Sequence, residues 1–265
     1  MSSDAQPFTA LVLAGSRGPE DPVARFAGQP HKAFVAVDGV PMLLRVLRTL
    51  LASRWIERIT LSLEDPTLAA TVPEIAALVA EGRVTVLRSD STPSRSVLSV
   101  LAAMEQPGPL LVTTADHPLL TTAMVDHFCT AAPREADVAL ALARGTLIRR
   151  AYPDAIRTFY RFSGEGYSGC NLFALRTPIA AKAVAFWSGM ERHRKKPWRL
   201  ISTIGPVTLA RFLLGRLSLD AALRRLSDIA GAKIRAVDMP FAEAAIDVDK
   251  PADLALAETI LRGRS

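Results

Sequence analysis

The chain alternates between short apolar runs rich in β-branched residues and longer stretches in which apolar positions recur every three or four residues. The first pattern is typical of buried strands and the second of amphipathic helices. Strands are predicted over residues 8–13, 58–63, 84–87, 110–114 and 137–143, and helices over residues 41–53, 67–80, 94–104 and 122–132. Because strands that alternate with helices pack as a parallel sheet with both faces covered, we expect an α/β, Rossmann-like fold with a mostly parallel mixed sheet.

The alternation stops near residue 177. Three helices are predicted in succession, over residues 178–188, 206–214 and 218–226, before two strands over residues 233–238 and 244–248. A last helix begins at Pro251, since proline suits the first helical position, and carries Asp253 in its first turn. We expect an α/β core over residues 1–176, a helical insertion over residues 177–231, and a C-terminal strand and helix over residues 232–265 that complete the core.

The composition, 49% hydrophobic and 22% charged, is that of a chain able to bury a large core. Cys129 and Cys170 are far apart and form no CxxC motif, so neither a disulfide framework nor a zinc site is predicted, and a reducing cytoplasm is the expected location. Asp4 stands where an export signal carries positive charge, and Arg211 and Arg216 interrupt the most apolar late segment. Neither an export signal nor a transmembrane segment is expected.

The formal net charge of +6 is compatible with phosphorylated substrates, an anionic membrane surface or nucleic acid. Basic residues cluster over residues 192–199 and 216–225, in the predicted insertion. These clusters are open to interpretation as solvated helix faces, as a substrate-phosphate site or as a membrane-facing surface. The insertion itself is interpreted as core, as a homodimer face or as a region of peripheral membrane contact, and no nucleic-acid partner is expected.

A glycine-containing turn follows the first predicted strand and reads Leu13-Ala14-Gly15-Ser16-Arg17-Gly18. Parallel sheets bind ligands at the carboxyl ends of their strands, and glycines let backbone N–H groups approach phosphate oxygens. The spacing matches neither GxGxxG nor GxxxxGK[ST], so a dinucleotide-binding site and a P-loop are not indicated. The turn is a candidate phosphate-binding loop of another kind.

The residues that follow sharpen this interpretation. They include His31-Lys32-Ala33-Phe34 and Val37-Asp38-Gly39-Val40-Pro41-Met42-Leu43. Together with the glycine turn, these strings resemble the signature of the MobA-like nucleotidyltransferases, which implies a GT-A-like fold. The resemblance implies that Leu13, Ala14, Gly15, Ser16 and Arg17 bind a nucleoside triphosphate, and that Lys32 balances charge on the α-phosphate. Because the loop before Lys32 is long, the catalytic loop arginine is either Arg17 or Arg25.

A second resemblance concerns the base of the nucleotide. Pro93-Ser94-Arg95-Ser96-Val97-Leu98 resembles the R-x-x-S-V element of cytidylyltransferases, in which the serine lies beside the pyrimidine, although Val100 stands in place of the usual glycine. The resemblance implies a base contact from Ser96 and favours CTP over GTP. Ser94 has an alternative role as the N-cap of the following helix.

Acidic residues at predicted strand ends are candidates for binding a metal ion. A carboxylate after an apolar strand is costly unless it is hydrogen-bonded or binds a cation, and Asp116 follows the strand that ends at Thr114. Thr114-Ala115-Asp116-His117-Pro118-Leu119 resembles the family's T-x-D-x-P-L, which implies an Mg²⁺ ligand at Asp116 beside nucleotide-binding Thr114. The late phrase Asp247-Val248-Asp249 implies a second ligand at Asp247, with Asp249 on the same side of a strand and capping the last helix or supporting the site. One or two carboxylates with substrate phosphates usually hold Mg²⁺.

The sequence indicates the residues that bind the acceptor substrate less clearly. Gly169-Cys170-Asn171-Leu172 resembles the superfamily's G-x-N-[LI] element, which implies that Gly169 and Asn171 line the acceptor pocket, or it is only a turn entering a strand. Arg149 and Lys195 are candidates to hold an acceptor phosphate, because the reaction brings two polyanions together. Both are equally well explained as surface residues.

The resemblance implies Mg²⁺-dependent transfer of a nucleoside monophosphate, with CTP favoured, to a phosphorylated sugar or polyol with release of pyrophosphate. Guanylyl transfer to the molybdenum cofactor is the nearest alternative. A glycosyltransferase that uses a nucleotide sugar would need a central D-x-D motif, whereas Asp247-Val248-Asp249 lies near the C-terminus. A nucleotide-binding regulator without catalysis is disfavoured by the presence of Lys32 and Asp116.

Overall fold

The computed structural model describes residues 6–15, 18–104, 108–191 and 205–264. Its strands are β1 (Phe8–Ala14), β2 (Ala36–Val37), β3 (Val40–Pro41), β4 (Ile56–Leu63), β5 (Val84–Arg88), β6 (Leu110–Thr114), β7 (Val138–Arg144), β8 (Tyr160–Phe162), β9 (Glu165–Leu175) and β10 (Ile234–Asp238). The central sheet has the order β10-β7-β9-β6-β1-β4-β5, and β8 pairs with β9. β2 and β3 form a separate antiparallel pair.

Most neighbouring strands in the central sheet run parallel. β1 pairs in parallel with β4 and β6, β4 with β5, and β7 with β10. β9 runs antiparallel to β6, β7 and β8. This topology confirms the predicted α/β fold with a mostly parallel mixed sheet, and it places the carboxyl ends of β1, β4, β5 and β6 along one edge.

Helices cover both faces of the sheet. They are α1 (Pro22–Phe26), α2 (Met42–Ala52), α3 (Pro73–Ala80), α4 (Pro93–Ala103), α5 (Thr122–Ala131), α6 (Gly145–Ala151), α7 (Ala180–Glu191), α8 (Pro206–Leu213), α9 (Leu219–Ala230) and α10 (Pro251–Arg262). In α2, Leu43, Leu47 and Leu50 share one face and are fully buried, each contributing roughly 2 kcal/mol by burial. Leu47→Ala would leave a cavity at this interface and cost about 2–5 kcal/mol.

The two-residue period of β1 divides the core into two layers. Phe8, Ala10 and Val12 point into the layer that includes residues of α2 and α5. Leu11 points into the opposite layer, which includes residues of α4, α7 and α9. A third apolar cluster joins α1, β2 and α10 to the segment before α10, and it contains Ile246. These three clusters hold the loops at the carboxyl edge of the sheet.

The predicted strand over residues 244–248 is wrong. The backbone forms a 3₁₀ turn over Ala242–Ala245, and residues 246–249 have no regular secondary structure. Ile246 and Val248 are fully buried while Asp247 between them is not, which explains the strand-like alternation in the sequence. The segment is packed as a loop, so the two-residue period no longer relates Asp247 to Asp249.

Other elements also differ from the predictions. The helix predicted over residues 67–80 is split into a 3₁₀ helix, Pro66–Thr71, and α3, because Pro73 lacks the N–H that would continue a helix through it. α6, β8 and β9 were not predicted as elements. Among the described residues, none of the helices combines the length and hydrophobicity needed to cross a bilayer.

Candidate active site

A cleft of about 320 Å³ opens at the carboxyl edge of the sheet, where β1, β4 and β6 end. It brings together many of the residues predicted for the nucleotide and the metal: Leu13, Gly15, Lys32, Ser96, Thr114 and Asp116. Asp249 also lines the cleft, whereas Asp247, the predicted second metal ligand, is not among its described lining residues. Ala14 is buried in the core layer shared with α2, while its neighbours Leu13 and Gly15 line the cleft. Ser16 and Arg17 lie outside the described residues. The cleft is the candidate nucleotide site.

Lys32 lies in a short 3₁₀ helix, Lys32–Phe34, whose start is capped by His31. The His31 Nδ1 atom accepts a hydrogen bond from the Ala33 N–H at 3.1 Å. The buried Lys32 side chain donates from Nζ to Asp116 Oδ2 at 2.7 Å and to Asp249 Oδ1 at 2.9 Å. Burial opposes the charge on the ammonium group, but the two carboxylates outweigh it and raise the pKa of Lys32. A fixed positive charge therefore lies beside the cleft at neutral pH.

Asp116 is joined to the C-terminal loop through the backbone. The Val248 N–H donates to the Asp116 carbonyl at 2.9 Å, and the N–H of Ala115 donates to the Leu13 carbonyl at 2.9 Å. These bonds connect the ends of β1 and β6 to residues 246–249. The two acids predicted as metal ligands, far apart in sequence, therefore lie at the same edge of the sheet.

Asp247 is held by two donors. Its carboxylate accepts hydrogen bonds from Arg157 Nη1 and from Asn171 Nδ2, each at 2.9 Å. Burial and then the negative charges of Asp116 and Asp249 raise the pKa of Asp247, while Arg157 and Asn171 oppose this effect. Because Asp116 and Asp249 lie close enough to raise the pKa of Asp247, the three carboxylates together place negative charge at this edge of the sheet.

Asp253 lies in the first turn of α10, as predicted, and also contacts the residues before the helix. Asp253 Oδ2 accepts the N–H groups of Asp249 and Lys250 at 3.1 and 3.0 Å, so Asp253 helps to cap α10. Its other oxygen accepts from Arg157 Nη2 at 3.0 Å. The N-cap residue of α10 is Lys250, and the carboxylate of Asp249 accepts from Lys32, which is the supporting position given as the alternative to capping.

The orientation of Asn171 depends on an irregularity in β9. The pairing of β7 with β9 shifts register between Leu140 and Leu142, and Asn171 has a φ of 49°. Asparagine tolerates this left-handed conformation better than most residues, and a bulge re-aims the side chain of the residue that carries it. Asn171 therefore reaches Asp247 from within a strand. Gly169 pairs with Leu142 in the same strand and is exposed.

Ser96 holds the loop before α4, which forms one wall of the cleft. Its Oγ accepts the Asp90 N–H at 2.8 Å, and residues 89–93 line the cleft. The N-cap of α4 is Thr92, whose Oγ1 accepts the Arg95 N–H at 3.3 Å, so the alternative N-cap role for Ser94 is wrong. Ser62 and Glu64, at the end of β4, also line the cleft and were missed in the sequence.

The basic residues predicted for the loop and the acceptor are not gathered in this cleft. Arg25 is exposed on α1 and pairs with Glu20 at 3.3 Å. The Arg149 guanidinium lies over the Phe159 ring, 4.8 Å from its centroid. Lys195 lies outside the described residues. Arg25 and Arg149 do not line the cleft.

Arg157 is the main residue of the site that the sequence did not indicate. It belongs to no motif and lies in a segment without regular structure between α6 and β8. Its side chain is only 7% exposed and bonds to both Asp247 and Asp253. The capping role of His31 was also not predicted, although a histidine directly before a short helix is a signal for it.

The carboxylates at this edge of the sheet are the groups available to bind Mg²⁺. Asp116 Oδ1 is buried and has no hydrogen-bond partner in the described part of the chain, so it is an acceptor with capacity for a cation. No group of three or more His, Cys, Asp or Glu side chains that could hold a metal was found among the described residues. Mg²⁺ is commonly held by one or two carboxylates completed by water and phosphate oxygens. The donor set fits such a site.

Comparisons with known proteins agree with the fold and the motifs. A family model described as the MobA-like NTP transferase domain matches residues 10–194. A solved structure of a hypothetical transferase from Thermus thermophilus is 30% identical, has a TM-score of 0.78, and the match covers 94% of this chain and 100% of that one. No curated protein matches the chain.

Two further solved structures share the fold. One is CMP:2-keto-3-deoxy-manno-octonic acid synthetase complexed with CTP, at 12% identity and a TM-score of 0.58, with 98% of this chain and 99% of that chain covered. The other is 4-diphosphocytidyl-2C-methyl-D-erythritol synthase from Anaerococcus prevotii, at 13% identity and a TM-score of 0.61, with 98% and 97% covered. With the family match over most of its length, the chain belongs to the MobA-like NTP transferase family and is a nucleotidyltransferase.

Proposed function

We propose that this nucleotidyltransferase moves CMP from CTP to a phosphorylated small molecule, such as a sugar or polyol phosphate, in a magnesium-dependent reaction that releases pyrophosphate. The observation that carries the proposal is the cluster of Lys32, Asp116 and Asp249 beside the glycine turn in one cleft. Transfer between phosphates depends mainly on positioning and on fixed charges near the phosphorus atom.

The chemistry needs no covalent intermediate with the protein. An oxygen of the acceptor phosphate attacks the α-phosphorus of CTP, and the bond from that phosphorus to the bridging oxygen of pyrophosphate breaks. The leaving pyrophosphate takes the electron pair, and the acceptor phosphate is already an anion, so no proton must be removed from it. Lys32 supplies positive charge beside the cleft, and the exposed backbone of Gly15 allows phosphate oxygens to approach.

Asp116 and Asp247 are the residues proposed to hold Mg²⁺. When bound there, the ion would neutralise charge on the phosphates of both substrates. The Oδ1 atom of Asp116 has no hydrogen-bond partner among the described residues, which supports this role for Asp116. Asn171 and Arg157 hold Asp247 at the edge, and Asn171 with Gly169 is proposed to border the acceptor.

The preference for CTP rests on the loop over residues 89–93. Ser96 fixes this loop against the start of α4, and the base is proposed to lie against it. One fold relative is named as a complex with CTP, which is compatible with the same preference here. Ser16, Arg17, Arg149 and Lys195 remain proposed phosphate contacts.

The decisive experiment follows pyrophosphate release from CTP, GTP, ATP and UTP with Mg²⁺ and a panel of phosphorylated sugars and polyols. Turnover with CTP and one acceptor is expected, and Asp116→Asn should abolish it while the exposed control Asp154→Asn leaves it unchanged. Preference for GTP with a molybdenum cofactor precursor would replace the proposal by guanylyl transfer. Full activity of Asp116→Asn would contradict the assigned site.

A further inference from the structure

A groove of about 470 Å³ lies between α8, α9 and the edge strand β10. None of the described residues that line it also lines the active-site cleft. Leu217, just before α9, and Ala221, Arg224 and Asp228 within it recur at helical spacing, so the groove follows the length of that helix. It is a separate surface of the molecule.

Positive charge dominates this groove. Among the described residues, five basic side chains line it, against one acidic side chain, Asp228: Arg211, Arg224, Arg225, Lys233 and Arg235. Basic residues on an edge strand have a simpler explanation, which is that they prevent the strand from pairing with another chain. That explanation covers Lys233 and Arg235 on and next to β10, but not the three arginines that α8 and α9 contribute. The groove therefore has the electrostatics of a site for anions.

The helix on one wall of the groove also presents apolar side chains to solvent. Val207, Leu213 and Leu214 are 72%, 73% and 68% exposed, and α8 has no buried residue. The helix is nevertheless anchored, because the Phe212 ring packs against Phe162 with centroids 5.6 Å apart. Exposed aliphatic side chains beside arginines characterise helices that lie in the surface of an anionic bilayer.

We propose that the surface formed by α8, α9 and β10 docks the enzyme on a membrane that contains anionic lipids. The leucines at the end of α8 would enter the interfacial region, while the arginines of the groove would contact lipid phosphates. Positive residues near an anionic surface are attracted over about one Debye length, so binding depends on both lipid charge and salt. The inference does not depend on which nucleotide or acceptor the enzyme uses.

The test is sedimentation of the full-length protein with vesicles. Binding is expected to vesicles of phosphatidylcholine mixed with phosphatidylglycerol, and not to phosphatidylcholine alone, and it should fall as salt is raised. The double variant Arg211→Glu with Arg224→Glu should weaken binding by tenfold or more, on the order expected for reversing two surface charges. The control, Arg58→Glu with Arg83→Glu, makes the same change of charge at exposed arginines elsewhere.

The apolar contribution is tested separately. Leu213→Ser should weaken vesicle binding severalfold, whereas Phe26→Ser, at a side chain of similar exposure, 68%, on α1, should not. Circular dichroism and pyrophosphate release should be unchanged in all four variants, which separates docking from folding and catalysis. If the enzyme did not catalyse the proposed reaction, the expected binding to vesicles would be the same, so the two proposals are tested independently.

Several outcomes would overturn the docking proposal. No difference between the two double variants would mean that only net charge attracts the vesicles. Binding to duplex DNA without binding to vesicles would assign the groove to a nucleic-acid partner. Self-association that is lost in Leu213→Ser, again without vesicle binding, would make the surface a contact between copies of the chain.

Discussion

Arg157 binds Asp247 through the side chain and the backbone of that residue. Arg157 Nη1 donates to Asp247 Oδ1 at 2.9 Å, and Nη2 donates to the Asp247 carbonyl at 3.1 Å. The same Nη2 atom also reaches Asp253 at 3.0 Å, in the first turn of α10. One nearly buried guanidinium therefore ties the acidic loop to the helix that follows it.

Replacement of Arg157 by alanine is expected to destabilise the protein. The variant would leave Asp247 and Asp253 largely buried without their cation, and breaking a buried pair from one side typically costs about 3–5 kcal/mol. Urea denaturation at pH 7, followed by far-ultraviolet circular dichroism, measures the free energy of unfolding. Arg48→Ala, which breaks the exposed pair with Glu74, should cost no more than about 1 kcal/mol. Equal losses in the two variants would refute a clamping role for Arg157.

Lys32→Met is expected to lower kcat by about 10²–10³-fold, the effect seen when one fixed donor to a transition-state charge is removed. Methionine keeps much of the length of the side chain but removes the charge beside Asp116 and Asp249. Steady-state pyrophosphate release measures the effect, and a thermal melt shows whether the variant is folded. Lys182→Met, at an exposed lysine on α7, is the control. A folded Lys32→Met with unchanged kcat would exclude Lys32 from the reaction.

Ser96→Ala is expected to raise the KM for CTP by about three- to tenfold, with a smaller effect on kcat. The serine hydroxyl accepts the Asp90 N–H in a buried position, and a single neutral hydrogen bond contributes about 0.5–1.5 kcal/mol. Ser99→Ala removes a longer, exposed contact to the same Asp90, at 3.3 Å, and should change KM little. If both variants behaved alike, residues 89–93 would not depend on Ser96 for nucleotide binding.

The stability of the protein should fall as the pH is lowered from about 6.5 to about 4. Burial lowers the pKa of His117 from 6.5 to about 4, so within this window the unfolded chain binds a proton that the folded chain excludes. The full effect is on the order of 3 kcal/mol at the acidic end. Urea denaturation across this range should show a flatter profile for His117→Gln than for the wild type.

The control for a change in packing is a second substitution at the same position, His117→Asn. Neither glutamine nor asparagine titrates in this pH range, so both variants should show the same flattened slope even if their overall stabilities differ. The comparison uses slopes and not absolute stabilities, because either substitution can alter packing. A slope equal to that of the wild type in both variants would show that His117 is not the group responsible.

Much of the central sheet was predictable because its strands are marked locally. β6 spans the residues predicted for it, Leu110–Thr114, since a run of apolar and β-branched residues is the pattern of a strand buried on both faces. The family was predictable for a related reason. The glycine turn, Lys32 and Asp116 stand within short motifs, so residues close in sequence were enough to indicate the MobA-like NTP transferase family that the family match confirms.

β9 shows where local patterns were insufficient. Its eleven residues, Glu165–Leu175, include two glycines and Asn171 at a positive φ, features that favour a turn when judged locally. The strand forms because it fits antiparallel between β6 and β7, and this pairing partner is not visible from its own sequence. Residues 246–249 show the converse, since their alternating burial mimics a strand in a segment that pairs with none.

The amino-acid sequence by itself determined the alternation of strands and helices, the family, and the choice of Lys32 and Asp116 as candidate site residues. Each of these depends on periodicity or on neighbours a few residues away. Only the tertiary structure decided that Asp249 pairs with Lys32 and that Arg157 holds Asp247. Those pairs join residues far apart in the chain, and a buried charge takes whichever partner the packed sheet and loops bring within hydrogen-bonding distance.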